Sequence, residues 1–397
     1  MKSIDLAPLK GKKVLVRVDY NVPQNEHLQV TSVTRIKRTL NTVHKITNDG
    51  GIAILMSHLG RPKGEVNDVF SLKHIVSAVS DTLGKPVIFL GDVLDADIAE
   101  KINQLKAGDV ALLENLRFHK EEEKGDVEFA KSIAKLGDIY VNDAFGTAHR
   151  EHASTATIAR LFPKNAYAGY LLYSEVQSLK KVLEEKKAPF TAIIGGAKVS
   201  TKINILKNLM EKVDNLIIAG GMSYTFLTTL GYKHGDSLFE EEMMPVAKEI
   251  LEEANLKRVN IYLPVDNLCA DKFAENANTI TTNDQNIPDN WFGMDIGAQT
   301  IELFKKVILD SKTILWNGPV GVFEMEKFAA GTKAVAEAIA ESTKNGAYSL
   351  IGGGDSIAAL DMFGLSKAVS YISTGGGAML EYLEGIELPG IKALEEN

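Results

Sequence analysis

Cysteine is almost missing from this chain: Cys269 stands alone among 397 residues. A lone thiol excludes an intrachain disulfide, suits a reducing cytoplasm, and reads as a small buried hydrophobe. No apolar run approaches the roughly 18 residues of a membrane span. The N-terminal Met-Lys-Ser-Ile-Asp-Leu also lacks the apolar stretch of a signal peptide, so a cytoplasmic protein without a membrane partner is expected. Positive charge is in short supply. The net charge of −8 argues against nucleic acid as the main partner. The full fingerprint G-x-G-x-x-G occurs nowhere, which weakens a dinucleotide dehydrogenase reading.

What is present is unevenly spread. Arg17, Arg35, Arg38, Arg61, Arg117, Arg150 and Arg160 all precede residue 161, with only Arg258 beyond, and every histidine except His234 lies at or before His152. Glycine clusters occupy the other half, at Gly195-Gly196, Gly220-Gly221, Gly352-Gly353-Gly354 and Gly375-Gly376-Gly377. Guanidinium groups hold compact anions through charge-assisted, often bidentate hydrogen bonds. Glycine loops instead let backbone N–H groups approach phosphates closely. The asymmetry predicts one half-site for a small anionic molecule and one for a nucleotide. Residues 1–170 carry 23 Lys and Arg against 21 Asp and Glu, while the remainder carries 21 against 31. The second part must therefore hold a nucleotide through local features, since it offers no broad positive field. Its charge runs, such as Glu240-Glu241-Glu242, read as solvated helix surface.

Short apolar runs recur at 13–18, 52–56, 87–90, 110–113 and 139–141, then at 192–194, 216–219, 259–263, 313–316, 347–351 and 369–372. Bounded by turn residues and separated by amphipathic stretches such as 240–254 and 326–343, they predict buried parallel strands in repeated βαβ units. The pattern restarts at Ala188-Pro189, placing a boundary in the helical segment 173–187. It yields domains 1–170 and 171–383, each long enough to bury its own core. The tail 384–397 contains Pro389-Gly390 and no strong helical period, and is expected to pack as an extended arm. Ligands in open α/β sheets gather beyond the carboxyl ends of the strands. Asp19, Asn21, His58, Arg61, Arg117, Asp143 and Arg150 follow strands in just that way.

The chemistry-bearing segments leave alternatives open. Arg17, on an otherwise apolar strand, is either a ligand group or half of a buried ion pair with Asp19. His149 and His152 could ligate a metal only with help from Asp143 or Glu151; an anion-binding cluster with Arg150 fits better. GGAKVSTK at 195–202 resembles a phosphate loop without its spacing. Asp355 in GGGDS is either a magnesium ligand or a helix N-cap.

VRVDYNVP (16–23), SHLGRP (57–62), LLENLRFH (112–119), NDAFGTAHREHAS (142–154), GGAKVSTKI (195–203), WNGPVGVFE (316–324), GGGDS (352–356) and STGGGAMLEYLEG (373–385) together resemble the phosphoglycerate kinase family, in order across essentially the whole chain. The resemblance implies two Rossmann-like three-layer αβα domains with parallel sheets facing a central cleft, the tail returning to the first domain. It implies a monomer that transfers a phosphoryl group between 1,3-bisphosphoglycerate and ADP, with Mg²⁺ and domain closure hinged around 170–188. Its implied acid-site residues are Asp19, Tyr20, Asn21, Arg35, His58, Leu59, Gly60, Arg61, Arg117 and Arg150, supported by Arg17, His149 and His152. For the nucleotide they are Gly196, Ala197, Lys198, Lys202, Gly220, Gly221, Asn317, Glu324, Gly352, Gly353, Gly354, Asp355 and Ser356. Glu324 would hold the ribose and Asp355 the metal. Arg17 and Lys198 are expected on the migrating phosphoryl group from opposite domains, joined by the amides of Gly375, Gly376 and Gly377. Tyr20 stands where the family commonly has phenylalanine, and Ser356 where threonine is common. The acceptor is a carboxylate, already ionised, so no general base is expected.

Overall fold

The branched apolar runs of the first half become a six-stranded, all-parallel sheet. Its strands are β1 (Lys13–Val18), β2 (Ile52–Met56), β3 (Val87–Gly91), β4 (Val110–Leu113), β5 (Ile139–Asp143) and β6 (Ala166–Ala168), in the order β3-β4-β2-β1-β5-β6. Every residue of β2, β4 and β5 is buried. Both faces are therefore covered, which is why these strands read as continuous apolar runs without alternation. Val14, Val16 and Val18 on one face of β1 share a core with Ile36, Val43 and Ile46, and with Leu72, Ile75 and Val79. In this computed structural model all 397 residues are described, and they divide into two units, Met1–Gln177 with Ile386–Asn397, and Ser178–Gly385. The division falls inside the helix Tyr170–Leu183.

The tail departs from expectation. Pro389–Glu395 is a helix with proline in its first turn, not an extended arm. Its Leu388, Ile391 and Leu394 are buried, and the Gly390 N–H donates to the Ala148 carbonyl at 2.8 Å. Seven residues cannot hold a helix in water; packing on the first unit supplies what local propensity lacks.

The second unit carries β7 (Phe190–Ile194), β8 (Asn215–Ile218), β9 (Asn260–Tyr262), the short strands β10 (Asn267–Ala270), β11 (Thr279–Thr281) and β12 (Phe292–Ile296), then β13 (Thr313–Asn317), β14 (Tyr348–Gly352) and β15 (Tyr371–Ile372). A second parallel sheet runs β15-β14-β13-β7-β8-β9, and β11-β10-β12 form a small antiparallel sheet that the apolar pattern did not announce. Trp316 is fully buried, in a core with Phe304, Ile308, Ile339 and Leu360. The amphipathic stretches become the helices Met244–Lys257 and Ala330–Lys344. No helix is long and apolar enough to cross a membrane.

Candidate functional site

Strand order decides which loops meet in the first unit. β1 lies between β2 and β5, with β4 beside β2. The segments bearing Asp19 and Asn21, His58 and Arg61, Arg117, and Arg150 thus leave neighbouring strand ends. Asn21 Oδ1 accepts the Gly60 N–H at 2.9 Å, and Arg117 Nη1 donates to the Gly60 carbonyl at 3.1 Å. Gly60 holds φ +63°, and a Cβ there would lie 2.3 Å from the Phe70 ring, so this crossing requires glycine. Arg35 pairs with Asp19 yet keeps 48% of its side chain exposed. Arg61 and Arg150 are exposed and carry no ion pair.

Two histidines report the local field. Burial first, then Arg117, Arg17, Arg150 and His149, push His152 down to about 3. Burial, then Arg17, Arg117, Arg35 and His152, holds His58 well below its usual value. Both rings are neutral at pH 7, surrounded by the cations picked out in the sequence. The His152 Nδ1 is buried without a hydrogen-bond partner. The depression makes the fold acid-sensitive: unfolded His152 takes a proton near pH 6.5, the folded residue only near 3, so stability falls as pH drops through that window.

Several expected residues are committed elsewhere. Arg17 is 0% exposed; its Nε donates to Ser154 Oγ at 2.8 Å, Nη1 donates to the Val18 carbonyl, and Nη2 contacts His58 Nδ1 at 3.1 Å. It makes no ion pair with Asp19 and presents no surface to a ligand. Tyr20 and Leu59 lie in the apolar core, and the Tyr20 hydroxyl finds its partner in Thr39 Oγ1 at 2.9 Å. Asp143 Oδ1 caps the helix Tyr170–Leu183, accepting from the N–H groups of Leu171 (2.8 Å) and Leu172 (3.2 Å), and burial raises its carboxyl to about 7. Glu151 pairs with Arg160. Neither acid is available to make His149 and His152 a metal site. His149 itself is half-buried among these groups.

In the second unit the ends of β14, β13, β7 and β8 stand side by side. Their loops pack backbone on backbone: a Cβ on Gly195 would lie 2.0 Å from the Pro319 carbonyl oxygen, and one on Gly220 2.8 Å from that of Gly196. Gly196, at φ +128°, instead faces open space. The Asn317 side chain is buried; its Nδ2 donates to the Gly352 carbonyl at 2.9 Å and its Oδ1 accepts from Lys202 Nζ. Burial lowers the Lys202 pKa, with Asp355 and Glu384 opposing. Lys198 is exposed and free of such contacts. Beside these loops lies a cavity of about 760 Å³, lined by Gly196, Ala197, Gly220, Gly221, Glu324 and Asp355 among others. Its apolar wall of Tyr224, Leu238, Phe273, Phe292 and Met294 was missed by motif reading, because those residues come from scattered, unremarkable segments.

Gly353 is the N-cap of the helix Gly354–Met362, so Asp355 is not a cap but an exposed carboxylate in the first turn. Ser356 is buried, its hydroxyl accepting the Gly318 N–H at 2.7 Å, which makes it a support of the β13 loop. No group of three or more His, Cys, Asp or Glu converges as a metal cage. A single exposed carboxylate beside glycine-rich loops fits magnesium, which takes waters and phosphate oxygens as its other ligands. Gly375, Gly376 and Gly377 lead into the helix Gly377–Leu383, outside the cavity wall; Gly376 has φ +53° and nothing near its Cβ position.

The sequence pattern of the family described as phosphoglycerate kinase matches residues 4–386. A phosphoglycerate kinase of Porphyromonas gingivalis is 51% identical over 97% of this chain and 98% of its own length. One of Chloroherpeton thalassium is 49% identical over 99% and 98%. Among solved structures, phosphoglycerate kinase from Coxiella burnetii superposes with a TM-score of 0.92 at 43% identity, covering 99% of this chain and 98% of that one. The Pyrococcus horikoshii enzyme superposes with a TM-score of 0.82 at 31% identity, covering 100% and 98%.

Proposed function

Because the chain belongs to the phosphoglycerate kinase family, and so catalyses the glycolytic phosphoryl transfer between 1,3-bisphosphoglycerate and ADP, we propose that its two units divide the labour, Met1–Gln177 holding the acid and Ser178–Gly385 the nucleotide. The observation that carries this reading is the pair of neutral, buried histidines set among guanidinium groups. That field selects for a compact anion. Arg61, Arg117 and Arg150 would grip the phosphate and carboxylate, Asn21 and Gly60 fixing the loops that carry them. The exposed Arg35, steered by Asp19, takes the role on the migrating group for which Arg17 is too deeply committed.

Across the reaction, Lys198 would neutralise the same group, with the amides of Gly375 to Gly377 adding donors. The apolar wall suits a planar base, and Glu324 the ribose hydroxyls. The family handles its nucleotide as the magnesium complex; Asp355 would hold the ion, which neutralises charge on the phosphate oxygens. Cytoplasmic action belongs to this reading, supported by the lone buried Cys269, as does a monomer, on the family resemblance; the net negative charge speaks against nucleic acid as a partner.

The check on the acid half is a titration of the histidine rings by NMR. A bound anion favours the imidazolium, so 3-phosphoglycerate should raise the His152 pKa from about 3, and ADP alone should not. An unchanged His152 with saturating 3-phosphoglycerate would place the acid elsewhere. Transfer also needs the reacting atoms within about 3–3.5 Å of each other. We place a closing motion at the chain crossings near 170–188 and 385–386, which would bring ligands held on separate units together. Small-angle scattering should show compaction with both ligands present and little with either alone; equal profiles would count against closure.

A further inference from the structure

Arg17 sits in the middle of a buried chain whose hydrogen-bond directions are forced. Glu122 is 0% exposed, and its carboxylate accepts from the Ser154 backbone N–H at 3.0 Å and from Ser154 Oγ–H at 2.5 Å. With its proton spent on Glu122, the Ser154 hydroxyl accepts from Arg17 Nε at 2.8 Å. A hydroxyl is one of the few groups able to donate and accept at once; alanine could do neither. Arg17 then meets His58 Nδ1 through Nη2 at 3.1 Å. Guanidinium has donors and no acceptor, and stays charged at any ordinary pH. His58 Nδ1 must therefore be the acceptor and carry no hydrogen. A neutral imidazole with a bare Nδ1 has its single proton on Nε2.

We infer that the Glu122–Ser154–Arg17 chain locks His58 as its Nε2–H tautomer, turning the ring into a fixed hydrogen-bond donor toward the acid substrate, with Ser154 as the positioning residue. The inference rests on the reading that places the acid beside His58. The chain also accounts for two buried charges: the carboxylate of Glu122 and the guanidinium of Arg17 compensate each other through one hydroxyl. It explains why a guanidinium stands in a β1 register position flanked by Met56 and Asn142, where it touches no ligand itself.

The test begins on the unliganded wild-type protein with ¹⁵N-labelled histidine. Long-range ¹H–¹⁵N correlation should show His58 with Nε2 protonated and Nδ1 bare. A protonated Nδ1 overturns the inference outright, whether or not the acid binds nearby. Ser154→Ala should then give mixed His58 tautomers and raise KM for 3-phosphoglycerate about tenfold, with KM for ATP unchanged. Ser154→Thr, which keeps the hydroxyl, should restore the wild-type spectrum. A Ser154→Ala protein with an unaltered His58 spectrum removes Ser154 from the role. If the tautomer is as inferred but 3-phosphoglycerate leaves the His58 signals untouched, the placement of the acid fails and the inferred role with it, while the forced geometry stands.

Discussion

Lys198→Ala is expected to lower kcat by about 10²–10³ while leaving affinity for MgADP near the wild-type value. The structure separates the two lysines of the GGAKVSTK segment. Lys202 is half-buried, and its ammonium is bound by Asn317, which in turn holds the Gly352 carbonyl. Lys198 stands exposed after the open Gly196, with no ion pair and no hydrogen-bonded partner on its side chain. Lys198 feels the Glu240 carboxylate only at a distance; a cation not bound in a close ion pair or hydrogen bond can reach charge that develops only during transfer, and such contacts affect turnover more than binding. Losing one is typically worth about 3–4 kcal/mol. Lys202→Ala should behave differently, weakening nucleotide binding as the Asn317 support loosens. Steady-state kinetics with calorimetric ADP titrations would separate the cases. A Lys198→Ala enzyme within fivefold of wild-type turnover would take this residue out of the transfer step.

Much of the fold was legible because parallel strands buried on both faces must be apolar throughout. β1, β2, β4 and β13 announce themselves as Val, Ile and Leu runs ended by polar or glycine residues. β6 did not, since Ala166-Tyr167-Ala168 is too short and small to stand out and gains its strand character from pairing with β5. β10 to β12 were hidden for a related reason: NLCA, TIT and FGMDI mix polar and apolar residues, and one of them is bulged. Loop placement was legible where strand ends set it, as for the segments bearing Asp19, His58, Arg117 and Arg150, which leave neighbouring strands. The role of Arg17 was not legible. A charged residue in an apolar strand looks like a ligand group until Ser154 and Glu122, more than a hundred positions away, are seen to satisfy it. The cavity wall was illegible for the same reason, its apolar members being assembled from a helix, two loops and a strand.

Removing residues 386–397 should unfold the first unit preferentially and abolish 3-phosphoglycerate binding, with MgADP binding retained. Leu388, Ile391 and Leu394 are each at most 5% exposed. Burial of three such side chains contributes on the order of 5 kcal/mol, a large share of a domain's stability. The loss falls on a sensitive place. Gly390 rests on Ala148 and Thr155, where an added Cβ would lie 3.1 Å from the Ala148 carbonyl oxygen and 3.0 Å from Thr155 Cγ2. Between those two contacts the chain carries His149, Arg150, His152 and Ser154. The tail helix therefore backs the segment that carries Arg150, proposed to grip the acid, and that closes the Arg17 chain. Asn397, beyond the helix, is held as well, Lys2 Nζ donating to its main-chain oxygen at 2.8 Å. Leu394→Ala is the milder version, expected to cost about 2–5 kcal/mol in the first unit alone. Calorimetric unfolding with and without each ligand would resolve the units: truncation should lower only the transition that 3-phosphoglycerate raises. A truncated protein that still binds 3-phosphoglycerate with wild-type affinity would show that the segment 148–157 keeps its shape unaided, and that the tail serves stability only.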